Sequence, residues 1–105
     1  MFFAVIFRDN PNADPALRAR HMADHLKFLE ANATHIQAAG PLAPDTITGP
    51  GGLWLVEAES SAEVQALIEA DPFWLTGLRD THDIRPWTRV FAEGKRLIDP
   101  SRPAD

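Results

Sequence analysis

The sequence contains no cysteine, which removes disulfides, thiolate nucleophiles and cysteine-ligated metal sites together and leaves only histidine and carboxylates as metal ligands. Long apolar runs are also lacking. Phe2 to Phe7 and Leu53 to Val56 are the longest and are far too short to span a bilayer, so no membrane is expected as a partner. Basic residues are few and scattered, ten against fifteen acidic ones for a formal charge of −5, and no positive patch is present to track phosphates. Nucleic acid is therefore not expected either. A glycine-rich phosphate loop is missing, because Gly49-Pro50-Gly51-Gly52 precedes a strand and opens no helix. Ser60 and Ser61 mark a helix start and Ser101 lies near the end, so no serine sits on the strand-to-helix elbow that a Ser-His-Asp hydrolase needs. The first residues are strand-like, without a basic stretch followed by an apolar one, and the chain reads as cytoplasmic.

What is present fits one domain of ordinary composition, 105 residues with 45% apolar and 24% charged. Met1 to Arg8 runs apolar without alternation, as expected of a central strand buried on both faces. Asp14-Pro15 supplies a cap and a proline for the first helical turn, and the spacing predicts a helix over 15–33. Ala19, Met22, Leu26, Leu29 and Ala33 form its expected core stripe, with Arg18, His21, His25 and Phe28 bordering it. Ile36 to Leu42 and Leu53 to Glu59 read as strands that pair antiparallel across a Pro/Gly-rich connection. Ser60 or Ser61 caps a second helix whose inward stripe, Val64, Leu67 and Ile68, runs into Asp71. His82 to Ala92 is the last expected strand, placed at an edge or a bulge by Pro86.

The order β-α-β-β-α-β predicts an α+β domain over 1–94, with a four-stranded antiparallel sheet and both helices on one face. Residues 95–105 are expected to form a loosely held tail that reaches a partner subunit. The sheet's other face carries large apolar residues as well, which calls for a homodimer.

The concentrated polar chemistry lies in two segments, Arg20 to Leu29 with His21 and His25, and Asp71-Pro72-Phe73-Trp74. Imidazole titrates near neutral pH, and a carboxylate beside it sets its tautomer and raises its basicity, so a His and Asp pair suits proton abstraction without a cofactor. Bland readings stand beside this one. His21 and His25 suit the border of a helix without any chemistry, and Asp71 before Pro72 suits a helix cap. Two histidines at i, i+4 also suit a divalent metal, although no motif enforces a third ligand. Gly40 fits both a tight turn and a close ligand approach.

Phe2-Ala4-Ile6, His25-Leu26-Lys27-Phe28-Leu29, Ala39-Gly40-Pro41, the Gly51 to Val56 strand and Ala70-Asp71-Pro72-Phe73 occur in that order, and in this the chain resembles the YCII-related domain family. The resemblance implies a ferredoxin-like fold of the dimeric α/β barrel type, with a His and Asp pair in a pocket near the subunit interface. By motif matching these are His25 and Asp71. An arginine three residues before the histidine, usual in the family, fits Arg18 and His21, whereas the Phe-Leu that follows fits His25. His25 is therefore preferred as general base or acid, Asp71 as its orienting partner and His21 as a second member of the site. Phe28, Phe73, Trp74, Gly40 and Pro41 are the expected substrate-binding wall. One class of the family eliminates chloride from a chlorinated hydroxyhydroquinone, and related folds include lactone isomerases and small monooxygenases. The expectation is thus a cofactor-independent lyase or isomerase acting on a small cyclic or aromatic molecule. A non-catalytic ligand-binding homodimer and a divalent-metal site at His21 and His25 are the alternatives.

Overall fold

The structure is a computed structural model, described here for residues 1–102. Strand β1, Phe2–Asp9, lies between β3, Gly51–Glu57, and β4, Arg79–Trp87; β2, Ile36–Leu42, pairs with the far side of β3. The order is β2-β3-β1-β4, with every pair antiparallel. Val5 is opposite Trp54 on one side and Ile84 on the other, so period-two alternation sends Phe3, Val5, Phe7, Trp54 and Val56 to one face. All five are buried. Phe2, Ala4, Ile6, Leu53 and Leu55 point to the opposite face and are only partly covered. The unbroken apolar character of β1 thus resolves into one fully buried face and one that this chain alone does not bury.

Helix α1 runs Leu17–Ala31, two residues inside the expected limits at each end. Asp14 Oδ1 accepts from the Ala16 N–H at 2.9 Å, closing a turn ahead of the helix, and Ala16 becomes an N-cap without a side-chain hydrogen bond. The expected core stripe is wrong in its rotation. Ala19 and Ala33 are exposed and Leu26 is 48% exposed, whereas His25 is the buried residue of the helix. Phe28 and Leu29 complete the contact with the core. The helix turns this way because its partners at that level are a buried carboxylate and an aromatic ring, which accept an imidazole better than an alkyl chain.

Helix α2, Ser61–Ala70, begins as expected: Ser60 Oγ accepts from the Glu63 N–H at 3.2 Å, and Glu63 reaches back to the Glu59 N–H at 3.1 Å. Val64 and Ile68 bury against the sheet. Asp71 ends α2 in an extended conformation, φ −71° and ψ 134°, and caps the one-turn helix α3, Pro72–Leu75. Pro72 forces both events, since the residue before proline is driven from the helical region.

The last sheet strand begins at Arg79 rather than His82 and stops at Trp87. It is an edge strand, with Pro86 opposite Phe3, where a missing N–H is tolerated. Beyond it β5, Phe91–Ala92, and β6, Lys95–Arg96, form a small hairpin turned by Glu93 (φ 53°) and Gly94 (φ 79°). Two consecutive positive φ angles suit a tight two-residue connection. The segment expected as a loose tail therefore starts in a strand; its end, residues 103–105, lies outside the described residues. Among the described residues no helix is long and apolar enough to cross a membrane.

Candidate functional site

Asp71 is fully buried, and three groups approach its carboxylate. Oδ1 accepts from the Phe73 N–H at 3.1 Å and lies 2.8 Å from His25 Nδ1; Arg79 Nη1 lies 2.6 Å from Oδ2. The arginine N–H is not aligned along that last vector, so the contact is coulombic before it is a hydrogen bond. An ionised carboxylate only accepts, so Nδ1 of His25 carries the hydrogen. The His25 ring also stacks on Phe73, with centroids 4.2 Å apart and planes at 21°. Nε2 takes no hydrogen bond among the described residues and is not sealed in the interior. The ring borders a cavity, and Nε2 is the nitrogen left to serve it.

Arg79 enters from the first position of β4, its guanidinium carbon 3.8 Å from the Phe7 ring centroid and 5.0 Å from that of Trp54. Burial pushes its pKa down, and the Asp71 charge opposes the shift. The aromatic faces and the carboxylate compensate a cation that water no longer solvates. A second ion pair sits nearby, Arg18 Nη2 to Asp9 Oδ2 at 2.7 Å.

The cavity beside His25 measures about 120 Å³. Its polar lining is Asp9, Arg18, His25 and Arg79; Met22, Leu26, Leu29, Pro41 and Trp54 supply the apolar part. A larger hollow of about 400 Å³ lies elsewhere, between Met1, Phe2, Trp87, Arg89 and Leu97. It holds a single arginine and neither His25 nor Asp71, so of these two spaces the smaller is the one that His25 borders.

Of the residues expected at the site, His25, Asp71 and Phe73 come together, and Gly40 and Pro41 line the cavity. Phe28 instead packs beneath, 6.1 Å from Trp54. Trp74 turns away to meet the His82 ring at 5.7 Å. His21 is partly buried, does not border the cavity and takes no hydrogen bond among the described residues. Arg79 and Asp9 were not anticipated. An isolated arginine at a strand start and an aspartate in turn-like sequence carry no periodic signal, whereas Arg18, two turns before His25 on α1, had one. Among the described residues no group of three or more His, Asp or Glu is arranged to hold a metal, so nothing joins His21 and His25 as a third ligand.

No curated protein matches the chain. Among solved structures, the 5-chloro-2-hydroxyhydroquinone dehydrochlorinase of Burkholderia phenoliruptrix, in complex with 2,5-dihydroxybenzoquinone, is similar: 31% identity, TM-score 0.69, covering 84% of this chain and 94% of that one. The model of the YCII-related domain matches residues 1–88, a span that includes His25, Asp71 and all four strands β1 to β4. On that match, and on an identity above the level where likeness shows fold alone, the chain belongs to the YCII-related domain family.

Proposed function

We propose that the protein is a cofactor-independent lyase or isomerase that moves a proton on a small cyclic or aromatic molecule, with His25 as the base. The observation carrying this is the 2.8 Å contact between His25 Nδ1 and the buried Asp71 beside the cavity. Asp71 holds the hydrogen on Nδ1, which leaves the Nε2 lone pair for an acidic C–H or O–H of the ligand. Arg79 and the Phe73 N–H hold the Asp71 carboxylate in place beside the imidazole. In an elimination the proton goes to Nε2 and the bond to the leaving group breaks on the ligand; in an isomerisation the same nitrogen returns the proton to another atom. The dehydrochlorinase relative supports the first alternative.

The test is chloride release from chlorinated hydroxyhydroquinones, followed in wild type, His25→Ala and Asp71→Asn. The expected loss of kcat is about 10²- to 10⁴-fold for His25→Ala, the usual range for a positioned acid or base. A His25→Ala variant that keeps wild-type turnover would remove the reading. Independently, the ¹⁵N shifts of the His25 ring are expected to report the Nδ1–H tautomer in wild type and a mixture in Asp71→Asn.

The working unit in this reading is a homodimer. Phe2, Ala4, Ile6, Leu53 and Leu55 form an apolar strip on the sheet face opposite the helices, and it is only partly covered within one chain. A second copy presenting the same strip matches it in both size and character.

A further inference from the structure

Two ion pairs bracket the cavity, and they are used differently. Arg79 is spent inside the protein, pressed between Asp71 and the rings of Phe7 and Trp54. Arg18 is not. A guanidinium has five N–H donors, and the single hydrogen bond that Arg18 makes among the described residues is the one from Nη2 to Asp9 Oδ2. Its side chain stays 30% exposed while that of Asp9 is 10% exposed. Asp9 is itself tied down, its N–H donating to the Pro50 carbonyl at 3.0 Å and its Oδ1 buried without a hydrogen-bond partner. A carboxylate so poorly solvated depends on the adjacent cation, so the pair holds Arg18 at the cavity instead of letting it extend into water. Seven positions separate Arg18 from His25, two helical turns, so both side chains leave α1 on one face.

We infer that Arg18, positioned by Asp9, is the anion-recognising residue of this cavity and makes it select a ligand that carries an oxyanion over a neutral one of the same shape. The inference rests on His25 being the proton acceptor. When a ligand O–H bond breaks, the proton forms the Nε2–H bond and the electron pair remains on oxygen. That oxyanion arises among apolar walls, where a charge-assisted hydrogen bond from the spare N–H groups of Arg18 is strong.

The experiment uses 4-nitrophenol, whose phenolate has its own absorption band, and nitrobenzene as a neutral ligand of similar shape. Both are titrated into wild type, Arg18→Gln, Arg18→Lys, Asp9→Asn and His25→Gln at a pH where both forms of the phenol are present. The wild type is expected to bind the phenolate preferentially. Arg18→Gln then weakens phenolate binding by about ten- to hundred-fold, the scale of a hydrogen bond to a charged group, and leaves nitrobenzene binding unchanged. Arg18→Lys restores part of the preference, and Asp9→Asn lowers it without abolishing it. Equal phenolate affinity in wild type and Arg18→Gln overturns the inference, as does an equal loss of both ligands or a wild type that binds neither. His25→Gln separates the two readings: phenolate preference that survives in it, together with undiminished chloride release, removes His25 as the base while Arg18 keeps its assignment.

Discussion

At the scale of single residues, Asp71 does two jobs with one carboxylate. Oδ1 caps α3 through the Phe73 N–H and meets His25 Nδ1, while Oδ2 meets Arg79. The cap and the imidazole contact do not compete, because an ionised carboxylate has about four lone-pair sites. Arg79 is the side chain whose loss this arrangement tolerates least. Arg79→Met removes the arginine cation from the fully buried Asp71 carboxylate, and the expected destabilisation is about 3–5 kcal/mol, read as a lower urea midpoint at unchanged slope. Asp71→Asn retains a good capping side chain but strands the Arg79 cation, so it too is expected to unfold earlier. An Arg79→Met protein as stable as wild type would mean that solvent reaches the pair. His25, Asp71 and the Pro72-Phe73 that follows were legible as chemistry in a linear reading, because an imidazole on a helix and a carboxylate ending an apolar stripe both violate local pattern. Arg79 broke no pattern.

At the scale of elements, caps and turns follow local chemistry closely. Ser60→Ala removes the acceptor for the Glu63 N–H and is expected to cost about 1 kcal/mol, measurable by urea denaturation. In the β2–β3 connection, the N–H groups of Thr48 and then Ile47 donate to the Asp45 carboxylate and hold its pKa below the ordinary value of 3.8. A carboxyl with a depressed folded pKa adds stability above its unfolded pKa and loses it as pH falls through the folded one. The Thr48 and Ile47 amide proton shifts are therefore expected to hold as pH drops to 3.8 and to collapse together below it; a shared midpoint at or above 3.8 would contradict this. The orientation of α1 was the element-level failure of periodicity. Ala19, Met22, Leu26, Leu29 and Ala33 make a regular stripe, but regularity states which residues share a face and not which face meets the sheet. Met22 and Leu26 border the cavity instead, Leu29 reaches both the cavity and the core, and the helix presses His25 and Phe28 inward.

At the scale of the whole molecule, the sheet divides the chain into a side that carries the helices and cavity and a side that carries a partly uncovered apolar strip. The proposed homodimer makes a direct prediction. Leu55→Asp places a carboxylate in the middle of that strip, away from Trp54 and Val56 on the buried face, and is expected to sediment as a folded monomer where the wild type sediments as a dimer. A wild-type monomer at micromolar concentration would remove the dimer from the proposal.

The linear sequence by itself determined the element order, the antiparallel α+β sheet with β1 at its centre, the placing of the last strand at an edge or a bulge, and the two segments that hold the His25–Asp71 contact. These depend on alternation, proline and capping chemistry, which act over a few residues. Only the tertiary structure decided the rotation of α1, the start of β4 at Arg79, and which charges converge on His25. Each of those depends on contacts between residues about ten to seventy positions apart: Asp9 with Arg18, His25 with Asp71, Arg79 with Phe7. No local pattern encodes them, because the free energy of placing a buried charge is set by whatever the fold brings beside it.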